Sequence, residues 1–383
     1  MIFKNGLVMD ETFTLRRCDL QVKNGIITAM GEQLNGDETL DMSSCLILPG
    51  FIDSHMHGAM GHTISDTHPE PDLGKITRYE ASQGVTSIAI STVCSDFNHL
   101  LKQIDLAVEA SSKTSGAKIA ALHAEGPFIN PAKKGAMDER FILAPDREKL
   151  DQMIQHGKGL LRLITVAPEM EGCTDLIAYA VSQGLTVSMG HTNATYEQAL
   201  AAIQAGASQS THTFNAMRAY NHREPGILGA VLTDPSVCCE MICDHTHLHP
   251  AVLKLMIQLK GADHINIISD SEYGAGLTAT EVMVDGEPRY IKDGVMLLKD
   301  GTIAGSASSM LYGIRNLLSD GIPLADVSRM ASINPARTLK IDHSTGSIAI
   351  GKAADLVVLD QDYHVQSTYV DGICVYRKGE TNQ

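Results

Sequence analysis

An α/β fold, a (β/α)8 TIM-type barrel carrying a small β-sandwich domain, is predicted by three features of the sequence. Eight short apolar runs recur through the middle of the chain, nearly all of them closing on a His, Asp or Glu. Helix-like stretches separate the runs, the rhythm of repeated β–α units. Both ends of the chain read differently, as short strands joined by tight turns.

Taken in order, the first 50 residues carry the turn signals Lys4-Asn5-Gly6 and Lys23-Asn24-Gly25, with apolar–polar alternation around the second. The central runs then end at Ile52-Asp53-Ser54-His55, Ile90-Ser91-Thr92, Leu122-His123-Ala124-Glu125 and Val166-Ala167-Pro168-Glu169. They continue at Met189-Gly190-His191, Gln209-Ser210-Thr211-His212, Met241-Ile242-Cys243-Asp244 and Ile267-Ile268-Ser269-Asp270. Helices are expected between them, for instance over 195–205 and 250–260. The last 40 residues return to strands, with Ala354 to Asp360 and an Asp371-Gly372 turn before Ile373-Cys374-Val375. The expected domains are therefore a barrel over 51–340 and a composite β-domain from 1–50 and 341–383. A barrel gathers the C-terminal ends of its strands at one mouth, so the polar strand ends would converge there. The competing arrangement is an open α/β sheet with scattered polar strand ends.

Composition excludes several function classes. The chain has 383 residues, 44% hydrophobic and 20% charged, which is ordinary for a folded globular protein. Thirty Lys+Arg against 45 Asp+Glu leave a formal charge of −15, a poor match to nucleic acid or an anionic membrane. No apolar run approaches the roughly 20 residues of a membrane span, and the opening MIFKNGLVMD lacks signal-peptide character. The eight cysteines lie mostly in apolar runs and form no C-x-x-C, so buried thiols in a reducing compartment are expected. A cytoplasmic enzyme is the resulting expectation.

Chemistry concentrates at the strand ends. His55 and His57 are two apart, hence on one face of a strand, where two imidazoles can share an ion. Glu125, His191 and His212 each sit where a run gives way to a loop. Taken singly, such a Glu can cap a loop and such a His can bond to nearby backbone. Together, one Glu and two to four His on different strands make a nitrogen–oxygen donor set suited to Zn2+ or Fe2+ rather than Mg2+ or Ca2+. Asp270, at the end of the eighth run, is either a helix cap or a general base for hydrolysis.

At these residues the sequence resembles the amidohydrolase superfamily, and within it the N-acetylglucosamine-6-phosphate deacetylases. The likeness rests on Pro49–Gly58, H-x-E-G-P-F at 123–128, G-H-T-N-A at 190–194, T-H-x-F-N-A-M at 211–217 and His222-Arg223-Glu224-Pro225-Gly226. It continues through Asp244–His247, Gly305-Ser306 with Met310, and the ending from Gly346 to Asp355. The resemblance implies a homodimer that removes the 2-acetamido group of N-acetylglucosamine 6-phosphate, giving acetate and glucosamine 6-phosphate. It implies Glu125, His191 and His212 as ligands of a principal metal. His55 and His57 would hold a second ion bridged by Glu125, so one or two ions of Zn2+ or Fe2+ are expected per subunit. Asp270 matches the catalytic aspartate. Asn215 and Ala216 match a cradle for the sugar phosphate, and Arg223 a phosphate ligand supplied across the dimer interface. His247 matches a substrate contact, while Ala136, Ile303, Ala304 and Gly305 fall where loops line the sugar pocket. Two positions depart from the pattern. Met137 stands where some relatives place a histidine, and a thioether cannot donate a hydrogen bond. Glu272 follows Asp270 where small residues are usual. Rival readings are deacetylation of N-acetylgalactosamine 6-phosphate or another N-acyl compound, and a non-catalytic scaffold of the same fold.

Overall fold

The computed structural model describes residues 1–36, 38–66, 71–113, 115–284 and 286–380. Residues 381–383 of the expected terminal domain therefore lie outside the described residues. The chain opens with β1 (Ile2–Met9), β2 (Leu15–Lys23), β3 (Ile26–Gly31), β4 (Thr39–Asp41) and β5 (Leu46–Pro49). β6 (Phe51–Met56) follows, then a two-residue pair, β7 (Gly58–Ala59) and β8 (His62–Thr63). From there strands and helices alternate: α1 (Leu73–Ser82), β9 (Val85–Thr92), α2 (Phe97–Ala110), β10 (Lys118–Glu125), α3 (Arg147–Gly157) and β11 (Leu161–Val166). The alternation continues with α4 (Cys173–Ser182), β12 (Thr186–Met189), α5 (Tyr196–Gln204), β13 (Gln209–Ser210), α6 (Gly226–Thr233), β14 (Cys238–Ile242), α7 (Pro250–Lys260) and β15 (Ile265–Ile268).

These strands form an eight-stranded parallel sheet in the order β15-β14-β13-β12-β11-β10-β9-β6. It comes round nearly to closure, where the Asp270 backbone N–H donates to the His55 carbonyl at 3.0 Å. All eight expected strand ends are present, and helices cover the outside. The strands are buried along their length, β9 at every position, as parallel strands enclosed on both faces require. Local signals agree with the fold. Thr195 and Gln198 close a reciprocal capping box at the start of α5, and Asp96 caps α2. Three helices, α8 (Met310–Ser319), α9 (Leu324–Ala331) and α10 (Ile333–Thr338), complete the barrel wall.

Between β15 and α8 lies a four-stranded antiparallel sheet that the sequence reading did not anticipate. It consists of β16 (Glu281–Val284), β17 (Glu287–Lys292), β18 (Val295–Leu297) and β19 (Ile303–Ser306). Its turn signal is Asp293-Gly294, both residues left-handed at φ 51° and 80°. Residues 303–305, expected in a loop, are strand residues of this sheet.

The two ends of the chain meet in one mixed sheet. Its order is β22-β21-β20-β5-β1-β2-β3, with β4 on β1, where β20 is Leu356–Leu359, β21 is Val365–Val370 and β22 is Ile373–Arg377. Phe3, Leu20, Ile27, Ile47, Leu356 and Tyr369 build its apolar core. The Asn24-Gly25 and Asp371-Gly372 turns occur as read. Lys4-Asn5-Gly6 does not turn: it lies inside β1, where the register slips between Phe3 and Gly6 and Asn5 is left-handed at φ 61°. An Asn-Gly pair serves a bulge as well as a hairpin, because both need a residue at positive φ. Lys118 on β10 fastens this sheet to the barrel, its Nζ 2.7 Å from Asp355 and 3.0 Å from Asp371.

Candidate metal centre

Six of the residues singled out at the strand ends meet in one place. Glu125 ends β10, and each carboxylate oxygen faces imidazoles: Oε1 lies 3.1 Å from His191 Nε2, 3.0 Å from His212 Nε2 and 3.5 Å from His55 Nε2. Its Oε2 lies 3.3 Å from His57 Nε2. Asp270 Oδ1 approaches His55 and His57 at 3.5 and 3.4 Å. His191, His212 and Asp270 all fall two residues beyond their strands, and all three are left-handed, at φ 46°, 26° and 50°. Such a backbone costs roughly 1–3 kcal/mol per residue and persists only where the surroundings enforce it. Here they do: the His191 carbonyl accepts from Asn130 N–H at 3.0 Å, and the Asp270 carbonyl from Ser306 N–H at 2.8 Å.

The hydrogen bonds on the far side of each ring decide what the cluster can hold. A carbonyl or carboxylate oxygen only accepts, so an imidazole nitrogen facing one must carry the proton. His57 Nδ1 faces the Ser91 carbonyl at 3.1 Å, His191 Nδ1 the Lys133 carbonyl at 2.8 Å, and His55 Nδ1 Glu240 Oε2 at 2.9 Å. With Nδ1 so engaged in these three rings, their Nε2 atoms, which converge on Glu125, are the ones left to bind an ion, or to carry a second proton where none is bound. His191 and His212 present their Nε2 atoms 3.1 Å apart, and His55 and His57 theirs 3.3 Å apart. Lone pairs so close repel unless a cation or a proton lies between them. Two donor groups result, His55–His57–Glu125 and Glu125–His191–His212, each with ligand atoms within 4.8 Å of one another. Imidazole nitrogens, a carboxylate and oriented Nδ1 protons are what a transition ion takes, and the buried cluster is consistent with metal binding.

The electrostatics agree. Burial works to raise the Glu125 pKa, but His55, His191 and His212 hold it well below the carboxylate range. Asp270 is likewise raised by burial and pulled down further by His55, His57 and His212, to about 2. The imidazoles answer in kind: burial disfavours charge on His57, yet Asp270 and Glu125 bring its pKa up to about 10. The site draws positive charge.

A cavity of about 1030 Å³ opens over this cluster. Ala136, Asn215, Ala216, His247 and the 303–305 strand line it, together with Met137 and Glu272. The Asn215 side-chain amide donates to the His212 carbonyl at 3.2 Å. His247 turns Nδ1 toward Asp244 at 2.7 Å, leaving its other ring edge for a ligand. Burial raises the Glu272 pKa, which limits the penalty of a carboxylate at this wall. Arg223 is the one expected site residue placed elsewhere. It is exposed, on the loop before α6, and does not line the cavity of its own chain.

Three carboxylates that support the site were not singled out as such. Asp244 anchors His247. Glu169 binds the His191 loop, accepting from Asn130 Nδ2 at 2.7 Å and from Thr192 Oγ1 and the Asn193 N–H. Glu240 stands behind His55. The readable signal for Glu240 was a lone carboxylate inside Val237-Cys238-Cys239-Glu240-Met241-Ile242, an otherwise apolar run with no room for a solvated charge.

The chain matches the amidohydrolase family over residues 46–377. It is 34% identical over 362 residues to an N-acetylglucosamine-6-phosphate deacetylase of Vibrio furnissii, covering 92% of this chain and 89% of the relative. It is also 34% identical over 357 residues to an N-acetylgalactosamine-6-phosphate deacetylase of Escherichia coli O157:H7, covering 92% and 93%. The crystal structure of N-acetyl-D-glucosamine-6-phosphate deacetylase from Mycobacterium smegmatis superposes with a TM-score of 0.90 at 31% identity, covering 98% of this chain and 100% of that one. A variant of the M. smegmatis enzyme, solved with N-acetyl-D-glucosamine-6-phosphate, also gives 0.90 at 31% identity, over 98% of this chain and 99% of that one. With its near-closed barrel, its strand-end histidines and a match running from β5 into β22, the chain belongs to the amidohydrolase family.

Proposed function

We propose that this hydrolase removes the acetyl group of N-acetylglucosamine 6-phosphate, releasing acetate and glucosamine 6-phosphate. The observation that carries the reading is the Asp270 carboxylate set against converging imidazoles at the floor of a cavity lined by Asn215, Ala216 and His247. His191, His212 and Glu125 would hold one divalent ion, and His55 and His57 with Glu125 a second. A Zn2+ or Fe2+ ion there supplies Lewis acidity toward the amide carbonyl and toward water.

The chain's own residues do the rest. Asp270 Oδ1 accepts the proton of the attacking water and returns it to the departing amine nitrogen. His247, oriented through Nδ1 by Asp244, turns its Nε2 edge to the substrate. Asn215 and Ala216 cradle the sugar phosphate. A second reading, the galacto epimer, is favoured by a relative of that specificity at the same 34% identity. Acetate release from both epimers, with and without chelator, separates the two. Chelator should abolish activity, and the gluco substrate should be the faster. Equal activity in chelator would overturn the metal assignment.

Arg223 gives a prediction specific to the phosphate. Lying outside its own cavity, it would serve the partner's, which makes the active unit a homodimer. Arg223→Ala should weaken transition-state binding of the phosphorylated substrate by about 2–5 kcal/mol, the scale of truncating one side of a charge pair. Hydrolysis of the unphosphorylated sugar should barely change. Equal losses in kcat/KM on both substrates would assign Arg223 to the fold.

A further inference from the structure

We propose that Glu240 is a positioning residue that sets the proton arrangement of His55 and thereby governs the ion held by His55, His57 and Glu125, an inference that rests on the metal-centre reading above. Glu240 lies in β14 and is wholly buried. Its Oε2 is 2.9 Å from His55 Nδ1 and 2.9 Å from the His212 backbone nitrogen, while Oε1 is 2.6 Å from Gln209 Nε2. The amide and the backbone N–H can only donate, and an ionised carboxylate can only accept, so the His55 contact carries its proton on Nδ1. The lone pair of His55 is thereby committed to Nε2, the atom 3.3 Å from His57 Nε2 and 3.5 Å from Glu125.

Glu240 treats the two donor groups differently. It touches the imidazole of His55 but only the backbone of His212, whose Nδ1 has no hydrogen-bond partner among the described residues. His57 and His191 lean on neutral carbonyls, so of the four rings only His55 is backed by an anion. Glu240, Glu125 and Asp270 are three buried carboxylates, and no Lys or Arg pairs with any of them among the described residues. Buried charge of one sign is costly unless something positive answers it. Across the His55 ring, Glu240 would be answered by a cation held through Nε2, the carboxylate–histidine–metal arrangement that orients a ligand and raises its basicity.

The test uses the full chain, stripped of metal and titrated with Zn2+ by calorimetry. In Glu240→Gln, which keeps the shape and removes the charge, one class of Zn2+ binding should weaken by about 10–100-fold while the other stays at wild-type affinity. In the metal-free protein, imidazole 15N NMR should find His55 protonated on Nδ1 in the wild type and lose that preference in Glu240→Gln. The His55 signal is identified by its disappearance in His55→Asn. Wild-type Zn2+ affinity in both classes together with an unchanged His55 tautomer would overturn the proposal. So would a wild-type His55 whose Nδ1 carries no proton, a result that stands even if the variant fails to fold. A wild type that takes up no Zn2+ but keeps the Nδ1 proton would overturn the metal reading and leave the hold of Glu240 on His55 supported.

Discussion

Asp270→Asn should lower turnover by at least ~10²-fold while substrate affinity changes little. The substitution preserves shape but leaves an amide that cannot take a proton from water. Asp270 makes its contacts to His55 and His57 through Oδ1, an oxygen that Asn can retain. Bound metal should therefore stay near wild type, and the loss should fall on kcat rather than on binding. Single-turnover kinetics with metal analysis on the same preparation make the distinction. Near-normal turnover would identify another base. Glu272 would be the next candidate, since it lines the same cavity two residues away.

Glu125→Gln should do more damage, because Glu125 is the carboxylate that both donor groups share. An amide at this position supplies no negative charge to balance an ion, and its N–H donors can occupy the imidazole lone pairs that an ion would need. Bound metal and activity should fall together, while thermal unfolding stays cooperative because the strand carrying Glu125 keeps its neighbours β9 and β11. His55→Asn is the companion: it should remove about one equivalent and leave the His191–His212 group loaded. Full metal content with normal turnover in Glu125→Gln would sink the assignment.

Much of this site was legible because a parallel barrel writes its chemistry at strand ends. A strand enclosed on both faces is mostly apolar, so His55, Glu125, His191, His212 and Asp270 stood out as polar residues closing apolar runs. The helix starts were legible for a similar reason, as the Thr195 cap illustrates. Pairing was harder. Lys4-Asn5-Gly6 has the composition of a hairpin, and only the partner strands reveal it as a bulge. The four-stranded sheet over the cavity was obscured because its strands are half-exposed and alternate weakly, with Glu281, Glu287 and Lys292 exposed at their ends. The role of Glu240 lay beyond the reading for a different reason. It depends on His55 standing across the barrel, a relation carried by three-dimensional proximity and not by spacing along the chain. Arg223 needs more still, since its proposed destination is another copy of the chain.

The pairing of β5 with β20 has a consequence for how the protein is made. Leu46–Pro49 bonds to Leu356–Leu359, with the entire barrel between them in sequence. On the ribosome β5 emerges early and must present one bare apolar edge throughout synthesis of every barrel strand, a standing invitation to wrong partners. Only arrival of the last strands covers it. The terminal sheet thus acts as a completeness check. A chain interrupted after the barrel carries every residue of the donor cluster and still exposes a sticky seam to chaperones and proteases, so quality control can recognise it as unfinished by its surface alone.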